Sequence, residues 1–221
     1  MKKEKLKIIY EDNYIIAVDK PSNLFTISTE NEKEKTLFHQ VFVYLKQKHK
    51  NNKVFIVHRL DKDTSGLVLF AKSEKVKQLL QDNWNNVKRE YIAVVNGNLK
   101  KDKGIIDSYL KETKTLLVYS TKDKSGKLAI TEYEKIVSNK EYSLVKINIK
   151  TGRKNQIRVH FNDMGHSIVG DKKYGKIKNS LVNRLCLHAY ILEFEHPITG
   201  ELIKLEIKVP KEFNKLIKSE Y

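Results

Sequence analysis

The sequence is poor in cysteine and has no long apolar run. Cys186 is the only cysteine among 221 residues, so a disulfide bond within the chain is excluded. No segment reaches the roughly 18 consecutive apolar residues that a membrane helix needs. Polar residues at positions 11–13 interrupt the N-terminal apolar residues, which argues against a signal peptide. These absences predict a soluble, cytoplasmic protein that contacts no membrane.

Histidine and cysteine are not spaced as metal ligands. The seven histidines are scattered, and the closest pairs, His160 with His166 and His188 with His196, match no common zinc spacing. The single cysteine lies in the apolar segment LCLHAYIL, which predicts a small buried side chain. The sequence therefore predicts no metal site.

Acidic residues are few compared with basic ones. The chain has 43 Lys and Arg against 27 Asp and Glu, a net charge of +16 and a pI near 9.6. Such an excess is typical of proteins that bind polyanions, and nucleic acid is the first partner to consider. A lysine-rich proteome would give the same composition, so the distribution matters. The most basic segment, between Gly97 and Lys127, carries lysines at positions 100, 101, 103, 111, 114, 122, 124 and 127.

The chain reads as one domain. No stretch rich in Pro, Gly or Ser divides it, and its length suits a single core, so we predict one domain over residues 1–221. Strand and helix patterns alternate, and connections of hairpin length dominate the second half. This arrangement predicts an α+β fold with a mixed, mainly antiparallel sheet flanked by helices, and argues against a doubly wound α/β fold.

Apolar spacing predicts several helices. Apolar residues four positions apart indicate a helix from Thr36 to about His49. Ser73 is a plausible N-cap of a second helix, whose apolar face would extend to Trp84 and Val87.

The segment NQIRVHFNDM changes to helical spacing after a strand. Ile157, Phe161 and Met164 would share its buried face, while His160 and Asn162 would face elsewhere. A further short helix is expected to close the chain from about residue 211.

The segment HRLDKDTSGLVLFAK at 58–72 places one acid, Asp61, in a polar loop between two short apolar runs. A rigid scaffold often presents reactive groups on such loops, and Gly66 permits the turn back into a strand. An aspartate in this setting is, however, more often a turn former or a cap than a catalyst. The loop alone leaves both interpretations open.

Four blocks of the sequence resemble the motifs of a known protein family. They are HRLDKDTSGLVLFAK at 58–72, KREYIAVVNG at 88–97, TGRKNQIRVH with GHSIVGDKKYG at 151–175, and LHAYILEFEHPITGE at 187–201. Together and in this order they resemble the RluA family of RNA pseudouridine synthases, and the opening YEDNYIIAVDKP is similar to the entry hairpin of that family. The resemblance runs from about residue 8 to about residue 210. It implies the catalytic fold of that family, with a central cleft.

The resemblance implies isomerisation of specific uridines in structured RNA, ribosomal or transfer, without cofactor or metal. The bond from C1′ of the ribose to N1 of the uracil is broken, the base rotates, and C1′ rejoins at C5. A paired or stacked uridine would first have to leave its helix or loop. Whether the acid attacks C1′, adds to C6 or removes the 2′ proton is left open.

The resemblance also implies roles for four residues. Asp61 is the essential catalytic acid residue, and Arg158 pairs with its carboxylate. Tyr91 stacks on the target base, and Arg59 enters the RNA in place of the extruded base. Without the resemblance, Tyr91 would be read as a core strand residue and the two arginines as phosphate contacts. The neighbours of Asp61, namely His58, Thr64 and Ser65, are assigned to loop architecture.

The chain also departs from the family pattern. Asn155 stands where family members usually have His, Ser167 where they have Pro, and Ser22-Asn23 where they have Ala-Gly. We expect these changes to affect the rim of the expected cleft and to touch none of Asp61, Tyr91 and Arg158. Because the domain starts within the first ten residues, we expect the S4-type RNA-binding module of many relatives to be absent. We therefore expect the lysines of 97–127 to bind the phosphates.

Other functions are weighed against this one. A noncatalytic RNA-binding or ribosome-assembly factor could keep this fold, although an intact set of site residues disfavours it. An RNA hydrolase would need a metal-binding acidic cluster or a positioned nucleophile, and neither is visible. A kinase is excluded because Leu60 separates Arg59 from Asp61 and no Gly-rich phosphate loop precedes them. We expect a monomer without an obligatory protein partner.

Overall fold

The computed structural model describes residues 6–28, 34–175 and 182–218. The chain divides into two compact units. The first comprises Met1–Lys88 and Ala189–Ile207, and the second comprises Arg89–His188 and Lys208–Tyr221. The single domain over residues 1–221 stays a prediction.

Strands and helices alternate along the described residues. In chain order they are β1 (Ile8–Glu11), β2 (Ile15–Lys20), α1 (Leu37–Lys48), β3 (Phe55–Ile56), β4 (Ser65–Ala71), α2 (Glu74–Asp82), β5 (Lys88–Asn96), β6 (Lys103–Glu112), β7 (Val118–Thr121), β8 (Lys127–Ser138), β9 (Tyr142–Ile149), α3 (Gln156–Asp163), β10 (Leu187–Glu195), β11 (Leu202–Glu206) and α4 (Lys211–Lys218).

Among its described residues, the first unit contains four antiparallel strand pairs, namely β1 with β2, β2 with β4, β3 with β4, and β10 with β11. Its strand order is β1-β2-β4-β10, with β3 also on β4 and β11 on β10. Strand β2 runs antiparallel to β4 from Ile15 opposite Ala71 to Lys20 opposite Gly66. Strand β4 is buried along its whole length, which explains its continuous apolar sequence. Its core combines this strand with residues of β2, α2, β10 and β11.

Gly66 is the second residue of β4 and lies opposite Lys20 of β2, so the strand begins one residue before the glycine that the sequence analysis placed in the turn. Its φ of +120° is rarely adopted by residues with a side chain. A Cβ at this position would also lie 2.1 Å from the carbonyl oxygen of Ala189. Only glycine fits here.

The second unit has the strand order β5-β9-β8-β6-β7, and each neighbouring pair is antiparallel. Part of its core lies where α3 packs against β7 and β8, and it includes Leu110, Val118, Ala129 and Val159. Cys186 is fully buried, as predicted, and burial raises the pKa of its thiol to about 12. The two units together confirm the α+β class with mainly antiparallel strands.

Helix α1 starts as predicted, because the Thr36 side chain accepts a hydrogen bond from the His39 amide at 3.1 Å. Ser73 likewise caps α2. The predicted extension of α2 to Trp84 and Val87 is wrong, since the helix ends at Asp82 and a 3-10 turn follows. The Asn83 side chain donates to the Leu79 carbonyl oxygen at 3.1 Å and so ends the helix. No helix among the described residues is long and apolar enough to cross a membrane.

Candidate functional site

Asp61 lies in the loop between β3 and β4. The loop is tight, because the Thr64 amide donates to the Asp61 carbonyl oxygen at 3.2 Å. Leu60 and Thr64 are buried, whereas the Asp61 side chain is half-buried and Arg59 is exposed. The loop therefore presents a carboxylate and a guanidinium at a surface while its backbone is anchored inside the unit.

The buried side chain of Lys20 binds the backbone of this loop. Lys20 has 0% of its surface exposed, and its Nζ donates to the carbonyl oxygen of Lys62 at 2.9 Å. The same Nζ donates to the carbonyl oxygens of Pro21 and Leu24 at 3.0 and 2.7 Å. An ammonium has three hydrogens, so these acceptors match its donor capacity. The ammonium is thus stabilised by carbonyl oxygens from its own segment and from the Asp61 loop.

Two hydroxyls from the same segment hold the loop on either side of Asp61. The Ser22 hydroxyl donates to the Asp63 carbonyl oxygen at 2.6 Å. The Thr26 hydroxyl donates to the Leu60 carbonyl oxygen at 2.7 Å and accepts from the Leu60 amide at 3.2 Å. The backbone before and after Asp61 is therefore fixed by side chains, which limits the directions its carboxylate can take.

The departure at Ser22-Asn23 fits this arrangement. Asn23 has a φ of 66°, the left-handed conformation that Gly adopts readily and Asn tolerates better than most residues. The serine adds the hydroxyl that bonds the Asp63 carbonyl oxygen, a bond that alanine could not make. This chain thus keeps the backbone conformation and gains a loop contact.

His58 serves the loop architecture, as expected. Its Nε2 accepts a hydrogen bond from the Leu69 amide at 3.0 Å. Its ring stacks on Trp84 with centroids 4.5 Å apart. Because a backbone amide can only donate, Nε2 must be unprotonated, and a neutral His58 carries its proton on Nδ1.

The resemblance implies that Asp61 is the catalytic group, and small displacements of such a group have large effects on rate. We therefore expect Thr26→Val to lower the turnover number by about tenfold. The change keeps the side-chain shape but deprives the buried Leu60 amide and carbonyl of their partner. It should also reduce the free energy of unfolding by about 1–3 kcal/mol.

Steady-state kinetics with thermal unfolding checks this prediction, and Thr115→Val, at an exposed position, is the matched control. A Thr26→Val variant with wild-type turnover would show that the hydroxyl does not order the loop.

Tyr91 and Arg158 belong to the second unit. Tyr91 is half-buried on β5, opposite Ile147 of β9. Arg158 lies on α3 and has only 4% of its surface exposed. Asp61 and Arg59 belong to the first unit. The pairing of Arg158 with Asp61 and the stacking role of Tyr91 stay predictions.

Helix α3 is buried more completely than its spacing predicted. Every residue from Gln156 to Phe161 is buried. His160 was expected to face elsewhere, and this is wrong, because its ring nitrogens bond the hydroxyls of Thr131 and Ser108 at 2.9 and 3.0 Å. Burial lowers the pKa of His160, so the ring is neutral at neutral pH. Polar partners on the facing strands let the second side of the helix pack inward.

Asp171 is the ion-pair partner of Arg158, and the sequence analysis did not identify it. Arg158 donates to its carboxylate twice, from Nε to Oδ2 at 2.8 Å and from Nη2 to Oδ1 at 2.7 Å. The amides of Lys173 and Tyr174 donate to Oδ1 at 2.9 and 3.1 Å. Burial alone would raise the pKa of Asp171, but the Arg158 bonds and the two amides outweigh it and leave the pKa lowered. The sequence feature that could have identified Asp171 is its position in the segment GHSIVGDKKYG, thirteen residues after Arg158.

The described residues contain no group of three or more His, Cys, Asp or Glu side chains that could hold a metal ion. A carboxylate can act as nucleophile or base, and a guanidinium can orient it or bind phosphate.

Comparison with known proteins identifies the family. The family model described as RNA pseudouridylate synthase matches residues 14–163. The tRNA pseudouridine synthase C of Haemophilus ducreyi is 32% identical over 233 residues, covering 96% of this chain and 94% of that protein. The ribosomal large subunit pseudouridine synthase D of Nitrosomonas europaea is 33% identical over 227 residues, covering 97% of this chain and 65% of that protein.

A solved structure shares the fold. The human RNA pseudouridylate synthase domain containing 4 superposes with a TM-score of 0.79 at 21% identity, covering 94% of this chain and 90% of that one. The family model covers most of the chain, and the Haemophilus relative matches along nearly its whole length. The chain therefore belongs to the family of RNA pseudouridine synthases.

Proposed function

We propose that this enzyme isomerises uridines in structured ribosomal or transfer RNA with Asp61 as its essential catalytic residue. The observation that carries the assignment is the fixed backbone around Asp61, whose neighbours at 60, 62 and 63 are each held by a side chain of segment 20–26. A loop built this rigidly suits a group that must meet its substrate in one orientation. The names of the two relatives supply both RNA classes.

The reaction exchanges bonds within one nucleotide. The C1′–N1 bond breaks, the C1′–C5 bond forms, C5 loses its proton and N1 gains one, so nothing is oxidised or hydrolysed. An ionised Asp61 serves each of three routes: attack at C1′, addition at C6, or removal of the 2′ proton. Exclusion of water protects the detached base during rotation.

Three further residues complete the proposed site. Arg158 pairs with the Asp61 carboxylate and orients it towards the substrate through charge-assisted hydrogen bonds. Tyr91, which is half-buried on β5, stacks on the target uracil through its aromatic ring. Arg59 takes the place of the extruded base, which its exposed position two residues before Asp61 supports.

The lysines of 97–127 are proposed to hold the RNA backbone. Within the second unit a concave region of about 340 Å³ is lined by Lys111, Lys127, Arg153 and Lys154. Lys111 pairs with Asp123 and Lys154 with Glu112, which is also in the lining. The remaining positive charge supports contact with phosphate groups.

Neutralising Lys100, Lys101 and Lys103 together should weaken RNA binding and flatten its salt dependence. Each lost phosphate contact reduces the slope of log K against log salt by roughly 0.7–0.9. Lys103 pairs with Glu134 at 2.8 Å, so its share should be the smallest of the three. Titrations at several salt concentrations measure the slope.

The control is the triple change of Lys75, Lys208 and Lys215, which are also exposed. It removes equal charge from other surfaces. Equal slopes for both triple variants would place segment 100–103 outside the RNA interface.

We also propose that the enzyme works as a monomer in the cytoplasm without an obligatory protein partner. The net charge of +16 supports the monomeric state, because like-charged copies repel each other. Light scattering at working concentration measures the mass, and a dimer mass would contradict the proposal.

Mapping of pseudouridine in total cellular RNA tests the whole assignment. A strain that lacks the gene should lose specific sites, and the wild-type gene should restore them. Those sites would name the substrate RNA. If Asp61→Asn restored them equally, the catalytic role of Asp61 would be wrong. If the deletion lost no site, a noncatalytic RNA-binding role would replace the proposal.

A further inference from the structure

We propose that Asp171 and Tyr174 are positioning residues that fix the guanidinium of Arg158 and act on the reaction through it. This inference rests on the proposed function, in which Arg158 holds the catalytic carboxylate. The geometry that carries it lies entirely within the second unit.

The carboxylate of Asp171 fixes the plane of the guanidinium. Two parallel hydrogen bonds join the groups, and such a fork specifies both the position and the orientation of an arginine. The amides of Lys173 and Tyr174 hold Oδ1 of Asp171 in turn. Of the five N–H donors of a guanidinium, this fork engages two.

The ring of Tyr174 covers one face of the same guanidinium. The Cζ atom of Arg158 lies 5.3 Å from the centroid of the ring, within the range of a cation–π contact. The Tyr174 hydroxyl donates to Oδ1 of Asn155 at 3.1 Å and accepts from the Val118 amide at 3.2 Å. The ring is therefore anchored at its far end and cannot swing away from Arg158 without breaking two bonds.

Asn155 links this cluster to the start of α3. Its φ of 54° places it in the left-handed region, where Asn is favoured over most residues. It occupies the position where family members usually have His, and its side chain receives the Tyr174 hydroxyl. The departure from the family pattern thus coincides with the anchoring of the ring that covers Arg158.

A long side chain such as arginine has many rotamers, and each ordered bond removes some of them. With the guanidinium held edge-on by Asp171 and face-on by Tyr174, Arg158 enters the reaction already oriented. Loss of this orientation should slow the chemical step and leave the RNA contacts largely intact, because Asp171 is buried and Tyr174 only half-exposed.

The test compares turnover with affinity for RNA in the full-length enzyme. Asp171→Asn should lower kcat by roughly ten- to a hundredfold and leave KM within about threefold. Tyr174→Leu, which removes the stack, should lower kcat more than Tyr174→Phe, which removes only the hydroxyl bonds. Asp163→Asn makes the same chemical change at an exposed carboxylate of α3 and should have the wild-type kcat.

A double-mutant cycle separates positioning from a general structural role. If Asp171 acts through Arg158, then Asp171→Asn should have no further effect on kcat in an Arg158→Met enzyme. The inference would be overturned if the double variant lost kcat by the product of the two single-variant factors. An unchanged kcat in Asp171→Asn would also overturn it. If Asp171→Asn does not fold, the cycle is run with Tyr174→Leu, which leaves the ion pair in place, and the same criteria apply.

The same measurements distinguish failure of the positioning role of Asp171 and Tyr174 from failure of the proposed role of Arg158. A wild-type kcat in Arg158→Met would remove the proposed role of Arg158, and this inference with it. A slow Arg158→Met enzyme beside fast Asp171→Asn and Tyr174→Leu enzymes would overturn only the positioning role.

Discussion

Asp61→Asn should reduce pseudouridine formation by at least about a thousandfold while leaving the fold and the binding of RNA intact. Asparagine has nearly the same size but lacks the charge that each of the three proposed routes requires. The bonds that hold the loop use backbone atoms of Leu60, Lys62 and Asp63, so they survive the change. Release of tritium from C5-labelled uridine in RNA measures the rate directly, because C5 loses its hydrogen in every route.

The control is Asp82→Asn, an identical change at an exposed position of α2. It should have the wild-type rate. RNA affinity measured for both variants separates loss of chemistry from loss of binding. An Asp61→Asn enzyme within tenfold of the wild-type rate would mean that another group performs the chemistry.

Elements with strong local signals could be predicted from the sequence. The continuous apolar run of β4 reflects burial on both faces, and the predicted cap Ser73 lies directly before the first residue of α2. These features depend on residues that are close in sequence, so the sequence pattern alone is enough to predict them. The end of α2 was missed because the bond from the Asn83 side chain to Leu79 competes with apolar spacing that continues beyond it.

The contacts that build the site could not be predicted in this way. Lysine is rarely buried, yet Lys20 is fully buried because carbonyl oxygens from its own segment and from Lys62 surround its ammonium. Lys62 lies 42 positions further along the chain. His160 and Arg158 are buried for the same reason, since Thr131 and Asp171 supply their partners from other elements.

The four residues with implied roles came from the resemblance and not from local pattern. Family membership is confirmed by the comparisons. The individual roles of Asp61, Arg59, Tyr91 and Arg158 stay predictions, because each concerns a substrate contact or a partner in the other unit. The rigid backbone around Asp61 supports the first of them most directly.

Lys20→Met should destabilise the enzyme by about 3 kcal/mol and slow catalysis as well. The carbonyl oxygens of Pro21, Leu24 and Lys62 would lose their donor, and an unsatisfied buried acceptor costs about 1–3 kcal/mol. Removing a buried charge offsets part of this loss, because the ammonium no longer has to be desolvated. For a chain of this length, about 3 kcal/mol corresponds to a fall in Tm of roughly 6–12 °C. Thermal unfolding measures it.

Lys7→Met is the control for this change. Lys7 lies in the same unit and bonds Asp19 at 2.6 Å, but its side chain is 64% exposed, so its loss should change the free energy of unfolding by less than about 1 kcal/mol. Turnover per folded molecule, measured well below the Tm, then separates two roles of Lys20. A fall in kcat at unchanged RNA affinity means that the ammonium orders the Asp61 loop through Lys62. A wild-type kcat in a destabilised enzyme would mean that the hydroxyls of Ser22 and Thr26 are sufficient to order the loop, and that Lys20 stabilises the fold alone.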